Sequence, residues 1–550
     1  MKKIAIGFLI AALLVLGGVI LFKRSGGESQ APALAPADTV LFVNIPNIPR
    51  TGFRWIGTSL AQIAAEPEMQ EFLKLPLKNL TDAPSTGEAS GVLVALKPSN
   101  IFLAATHDET RGAQALLGFQ FWGNRKDYDN AITRLRQELP NAGQEPIKEV
   151  HNGREILSTK HGDLVLYSAT AGRWGFLSTN LDQMRSALDR SSGAPSQSSL
   201  KTNPRFLAVS AHLPAEPELM FFFEPEKALD SLLTLGRLAG ASAIPSQVEE
   251  LKSAEAIGGA LKIDGPLQRD TLFVLRPSQQ DSLTKLGYPA MRLTTKDTTV
   301  FFDIDLNFAA IPALVEGLAE AYPTLSVLAK PMADTAAQIY GPECALLASW
   351  PEGNMAPSPV LAITVKDAAR SLDFLKETIG IVPAANQQDY KGHTLFTFPT
   401  GYASLSMAQS DDFLLLGMSA DTIVNAMEAN KTGATLEEAP DFKQAMPALA
   451  SANEAFCYID TRTVFTRIYN SFLPVIRFGA AMMPDLKKNL DVSKLPKAET
   501  IAKHLPPIVL SQKRTTEGTL VESSGPITMT QFLLLGGAGA MAAQQSLLGN

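Results

Sequence analysis

A phrase near the N-terminus, ADTVLFVNIPN at Ala37 to Asn47, returns as KDTTVFFDIDL at Lys296 to Leu306. Such an echo restricts the possible folds more than any single motif, because a chain that repeats its landmarks in order is built from two like units. The landmarks follow in order. Asp38 and Asp297 lie 259 positions apart, and Lys126-Asp127 recurs as Lys366-Asp367 240 positions on. The turns Asn152-Gly153 and Lys391-Gly392 are 239 apart. That spacing holds without a gap through the segments DLVLYSA and RWGFLST to a helix, where Asp182, Met184 and Ala187 meet Asp421, Ile423 and Ala426. Pro204 and Phe206 then meet Pro440 and Phe442 at a spacing of 236.

Local chemistry says what these landmarks build. Lys126-Asp127 and Lys366-Asp367 each end a strand-like segment and open a helix, with aspartate as the cap that accepts from free first-turn amides. Behind them Tyr128, Ile132, Leu135 and Leu139, and then Ala368, Leu372, Leu375 and Ile379, fall on one helical face. Asn-Gly between strand-like runs predicts a tight hairpin, since both residues tolerate positive φ. ALKIDGPLQRDTLFVL and IVLSQKRTTEGTLVES each read as a closing hairpin. Strands joined by short turns are antiparallel. The expected fold is therefore α+β: two tandem duplicated units, residues 37–276 and 295–524, each an antiparallel sheet with helices on one face, joined by residues 277–294.

The termini carry other signals. Ile4 to Phe22, IAIGFLIAALLVLGGVILF, has no charge and stands between Lys2-Lys3 and Lys23-Arg24. As a helix it spans about 28 Å, close to the hydrocarbon thickness of a bilayer. It is longer than a cleaved signal's apolar region, and no good cleavage site adjoins it. Residues 1–24 are thus expected to be an N-terminal transmembrane helix, an uncleaved signal anchor, with 25–36 as a linker. The expected location is the bacterial inner membrane, single-pass, with the main body on the periplasmic side. Residues 525–550 form an apolar, Gly/Ala-rich tail, for which a second membrane contact, a domain groove and a loose end are all open readings.

Composition excludes some partners. A net charge of -7 spread over 550 residues, with no basic stripe, speaks against nucleic acid. Two cysteines, Cys344 and Cys457, cannot make a disulfide framework. The chain has no G-x-S-x-G, H-E-x-x-H, P-loop or paired C-x-x-C pattern. Gly537-Ala-Gly539 lacks the strand-turn-helix context of a dinucleotide site. His107-Asp108-Glu109 is the best metal or acid-base candidate, but consecutive side chains rarely converge on one ion, so it reads as a solvated loop. His151 and His161 bracket a hairpin and read as exposed, and His212, His393 and His504 are scattered. Asp411-Asp412 reads as a turn, and Cys457 as a packed thiol. Phe221, Phe222 and Phe223 suit a central strand buried on both faces better than a ligand site. No catalytic, cofactor-binding or metal residue is assigned, and no cofactor is expected.

PADTVLFVNIP, the apolar N-terminus, the repeated α+β unit and the Ser-Gly-Pro before an apolar tail resemble uncharacterised, membrane-anchored bacterial proteins. Their outer region carries a domain of unknown function that opens with Pro-Ala-Asp-Thr and a strand. The resemblance implies an envelope location and brings no activity or site residues. The function expected is that of a non-enzymatic, envelope-anchored binding or scaffolding protein, with a carrier of lipid or another apolar ligand as the alternative. An enzyme with a site dispersed in the sequence is the second alternative.

Overall fold

A computed structural model describes residues 30–81, 97–108, 112–123, 126, 128–130, 132–133, 146–161, 164–193, 198–227, 253–276, 286–306, 334–380, 386–399, 404–410, 412–429, 434–446, 452, 454–482, 491–528 and 531. Within them run strands β1 Thr39–Ile45, β2 Pro98–Asp108, β3 Gly112–Phe121, β4 Ile147–His151, β5 Arg154–His161, β6 Leu164–Ala171, β7 Trp174–Ser178, β8 Leu219–Phe223, β9 Ala256–Asp264 and β10 Leu267–Leu275. There follow β11 Thr298–Asp305, β12 Tyr340–Ser349, β13 Ser358–Val365, β14 Asn386–Tyr390, β15 His393–Pro399, β16 Ser404–Gln409, β17 Phe413–Gly417, β18 Ala455–Ile459, β19 Ile508–Arg514 and β20 Gly518–Gly525.

Every pairing among these strands is antiparallel. The first ten lie in the order β4-β5-β6-β7-β3-β2-β1-β8-β9-β10. The last ten lie in the order β14-β15-β16-β17-β13-β12-β11-β18-β19-β20. Each pairing in the first set has its counterpart in the second. The two sets meet where β10 pairs with β20, from Gln268 opposite Gly525 to Leu275 opposite Gly518. The two closing hairpins thus pair edge to edge, and each covers the other's open row of amides and carbonyls.

This corrects the expected fold. Two sheets with helices on one face give way to a single 20-stranded antiparallel sheet with helices on both faces. Alternation along the strands explains the second point. Phe42, Phe102, Phe176 and Phe222 point to one side, where α4 (Leu181–Ser191) and α5 (Pro204–Ser210) close the core. Val43 and Ile45 point to the other, against Ile48 of α1 (Ile48–Trp55). On that same side Phe119 and Phe121 stack on Tyr128, with Ile132 beside them. In the second half, α7 (Ala420–Ala429) and α8 (Pro440–Ala445) cover Phe301 through Ile423 and Phe442. α6 (Ala368–Gly380) buries Leu375 against Tyr340, Phe396 and Leu414 on the opposite face.

Helix starts follow their caps. The Asn47, Asn180 and Asn203 side chains accept first-turn amides of α1, α4 and α5, and Asp367 accepts from Arg370 N at 3.0 Å ahead of α6. Asp127, Leu135 and Leu139 lie outside the described residues. The turns Asn152-Gly153 (φ 49 and 76) and Lys391-Gly392 (φ 52 and 85) both close two-residue hairpins.

The expected transmembrane helix, and with it a single-pass inner-membrane protein with a periplasmic body, also needs correction. No helix among the described residues is long and apolar enough to cross a membrane. The longest, α9 (Thr461–Met482), has 22 residues but carries Arg462, Arg467 and Arg477 among Thr, Ser and Asn. Ile4 to Phe22, on which that expectation rested, lies outside the described residues, as does most of the tail after Thr528.

Candidate functional site

The residues singled out by sequence do not gather at one place. His151 meets Asp189 of α4 at 2.9 Å, and Asn152 donates to the same oxygen at 2.9 Å. Burial works against the Asp189 carboxylate, yet these two hydrogen bonds outweigh it and hold its pKa below the ordinary value. His212 stacks on Phe273 at 3.8 Å and meets Glu517, in the turn between β19 and β20, at 2.8 Å. His504 contacts Glu66 at 2.6 Å and Gln62 at 3.1 Å. These three histidines therefore fasten three separate junctions. His107 and His393 sit on β2 and β15, while Glu109, Asp411 and the His161 side chain are outside the described residues. No group of three His, Cys, Asp or Glu side chains suited to a metal ion occurs among the described residues. Cys344 and Cys457 flank β11 from its two neighbours, opposite Ile304 and Phe302. Burial pushes both thiols up to about 11, which keeps them protonated and inert at neutral pH.

One polar pair escaped the sequence reading. In the first half, Asn44 of β1 donates to Asn100 Oδ1 at 2.8 Å and to Ile101 O at 2.9 Å. Asn44 stands opposite Phe102, and Asp303 of β11 stands opposite Ala345. Counting two residues back along β2 and β12 puts Glu343 where Asn100 stands. An amide pair in one half is thus a carboxyl pair in the other. Asp303 is fully buried, and neither of its carboxyl oxygens makes a well-formed hydrogen bond, although the backbone amide of the adjacent Ile304 favours its charged form. Burial, with Glu343 as the second cause, raises its pKa to about 7. Glu343 is held elsewhere: it accepts from the amides of Gly287 and Tyr288, each at 3.0 Å. The only trace in the sequence is the change from Asn44 to Asp303 within the echo. Such a carboxyl can store a proton, but acid catalysis also needs a substrate within hydrogen-bond reach, and Asp303 is sealed in the core.

Exposed apolar side chains occur on strands and loops as well, such as Ile147 and Val150 of β4 and Met355, but the row with helical spacing lies on a helix beside a junction of the two halves. α2 (Ser59–Ala65) and α3 (Pro67–Thr81) come from the first half. They meet the short turn Val492–Lys494 and α10 (Ala498–Ala502) from the second. Glu66 pairs with Lys503 at 2.8 Å, Glu71 with Lys494 at 2.5 Å, and Glu68 accepts from Lys497 N and Thr500 Oγ1 at 3.0 Å each. Lys494 first, then Lys74, lowers Glu71 to about 2. α9 packs beside α10, tied by the Tyr469 hydroxyl to Pro496 O at 2.5 Å. None of the described α9 side chains is buried. Ile468, Phe472, Val475 and Ile476, at i, i+4, i+7 and i+8, share one face and are exposed, Phe472 by 57% and Val475 by 63%. A second surface feature is an open groove of about 500 Å³ between Phe53 and Ile56 at the end of α1 and Lys262 to Gly265 at the β9–β10 turn, where the apolar side chains share the lining with Arg54, Lys262 and Asp264.

No family model matches this chain, and no curated protein matches it. Among solved structures, crystal form I of TP0453 is similar at 8% identity and a TM-score of 0.24, over 48% of this chain and 83% of that one. Crystal form III of TP0453 has 9% identity and a TM-score of 0.25, over 49% and 86%. A likeness this faint carries no argument about what this chain does.

Proposed function

We propose that this is a non-enzymatic binding or scaffolding protein that holds a protein partner on the exposed apolar face of α9. The observation that carries the reading is the row Ile468, Phe472, Val475 and Ile476 facing solvent on a helix with no buried side chain among those described. Large contiguous apolar surface is costly to leave in water, and where it persists on a folded protein it commonly marks an interaction site. The braces from α2 and α3 to α10, beside α9, supply a fixed base for such a surface. The test is a photo-crosslinking residue at position 478 in cells, with and without Phe472→Glu and Val475→Glu. The double variant should keep its thermal midpoint and lose its crosslinked product. An unchanged product in the folded double variant would refute the reading.

The groove beside Phe53 and Ile56 favours a second reading, a carrier of an apolar ligand. Native mass spectrometry of gently purified protein decides between them, because a carrier retains a small apolar molecule that Phe53→Glu releases.

A further inference from the structure

The carboxyl pair has a consequence for the connector between the two halves of the sheet. Residues 286–293 run into β11 and are anchored by Leu286, Ala290 and Met291, all buried in the second core. Tyr288, at φ 51, turns the chain there, and its ring packs edge-on to Phe456 at 5.4 Å. Phe456 is the cross-strand neighbour of Asp303. The connector is held by Glu343, whose two carboxylate oxygens each take one backbone amide, from Gly287 and Tyr288. A charge on Asp303 would therefore act directly on the acid that clamps the connector.

We propose that Asp303 and Glu343 form a proton-operated latch, in which Asp303 is accommodated only while protonated and its ionisation, as pH rises, drives Glu343 off the amides of Gly287 and Tyr288 and loosens the connector. Two independent features of the geometry support this. Asp303 has no solvent exposure and no well-formed hydrogen bond to either oxygen among the described residues, so an ionised form has only the adjacent Ile304 amide to favour it, which burial and Glu343 outweigh. Its counterpart Asn44 fills the same place without charge and is fully engaged by Asn100 and Ile101. A protonated carboxyl matches that amide in shape and neutrality, whereas a carboxylate does not. The titratable groups around Asp303 are Glu343 and Cys344 on β12, Tyr288 on the connector, Cys457 and Tyr458 on β18, and Asp305 further along β11, which has Arg514 near it. Glu343 is the acid among them that adds to the burial of Asp303 in raising its pKa to about 7.

The sign follows from linkage. An acid whose folded pKa lies above its unfolded value of 3.8 binds more protons in the folded state between the two values. Stability is therefore full below pH 3.8 as far as this group is concerned, and falls as pH rises to about 7. The experiment uses the full chain from pH 5 to 9, reading the folding constant and the amide-exchange protection factors of Gly287 and Tyr288. In the wild type the folding constant should fall by up to about tenfold per pH unit until Asp303 is ionised, and protection at Gly287 and Tyr288 should fall with it. Asp303→Asn should remove both trends. Glu343→Gln, which removes the repulsion but keeps an acceptor, should leave a smaller total fall. If Asp303→Asn does not fold, Glu343→Gln alone carries the test, and an undiminished fall in it overturns the latch. A wild-type slope that survives in folded Asp303→Asn overturns it too, as does protection at Gly287 and Tyr288 that ignores pH while stability changes.

Discussion

Gln268 of β10 faces Gly525 of β20 across the sheet, and its side-chain amide donates to Pro526 O at 2.9 Å. Residues more than 250 positions apart in the chain thus share one ladder, and the two halves are continuous through backbone hydrogen bonds. Gly518, at the far end of this seam, shows how close the approach is: a Cβ placed there would lie 2.0 Å from Val274 O.

Gly518→Ala should therefore open the seam, since the obstacle is backbone and not the end of a flexible side chain. The expected loss is about 1–3 kcal/mol, typical of overpacking, measured by urea unfolding. Gly479→Ala on α9 is the control. Nothing lies within 4 Å of its added Cβ, so helix propensity should stabilise the protein by up to about 1 kcal/mol.

Core and surface phenylalanines should separate sharply. Phe42 is fully buried between Phe102 and Phe206, and Phe42→Ala should cost about 3–5 kcal/mol. Phe472 is 57% exposed, and Phe472→Ala should change stability by no more than about 0.5 kcal/mol. Equal losses in the two variants would mean that α9 packs on something that covers its outer face.

Acid should weaken the brace between the halves. Glu66, Glu68 and Glu71 all have pKa values lowered from 4.5, through Lys503 and His504, through Lys497 N and Thr500, and through Lys494 and Lys74 respectively. A lowered folded pKa adds stability above the unfolded value, and that contribution is lost as pH falls from 4.5 towards about 2. All three lie at the surface, Glu68 exposed and Glu66 and Glu71 partly buried, so the effect should be small and should shrink in high salt. Thermal midpoints of wild type and Glu71→Gln at pH 3 and 6 check it: the two should differ at pH 6, and the difference should be smaller at pH 3.

The cysteines should be unreactive while the fold is intact. With both thiols pushed up to about 11 by burial, labelling by a disulfide reagent at pH 8 should be slow in native protein and prompt for both after denaturation. Rapid native labelling of Cys457 would show that β18 opens to solvent.

Much of the local structure was legible because it depends on near neighbours. The Asn152-Gly153 turn needs only two residues that tolerate positive φ, and Asp367 needs only the amides of the next turn. The apolar runs within ADTVLFVNIPN and KDTTVFFDIDL mark β1 and β11, which occupy like places in the two strand orders. Helix placement on a single face was misjudged because β1 is apolar on both sides, Phe42 on one and Val43 on the other, and such a strand does not say that both sides are covered by helices.

Two features had no local signature. ALKIDGPLQRDTLFVL and IVLSQKRTTEGTLVES each read as a closing hairpin, but pairing between them uses main-chain amides and carbonyls that every residue carries, so side chains do not announce it. Asp303 likewise looks like an ordinary polar strand residue. What the sequence by itself determined was the local order of turns, caps and alternating strands, since these are set within a few bonds. Only the tertiary structure decided that the two halves share one sheet, and that a carboxyl standing where Asn44 has its counterpart is sealed from water beside Glu343. Both depend on which distant surfaces meet, and burial, unlike periodicity, is a property of the whole packed chain.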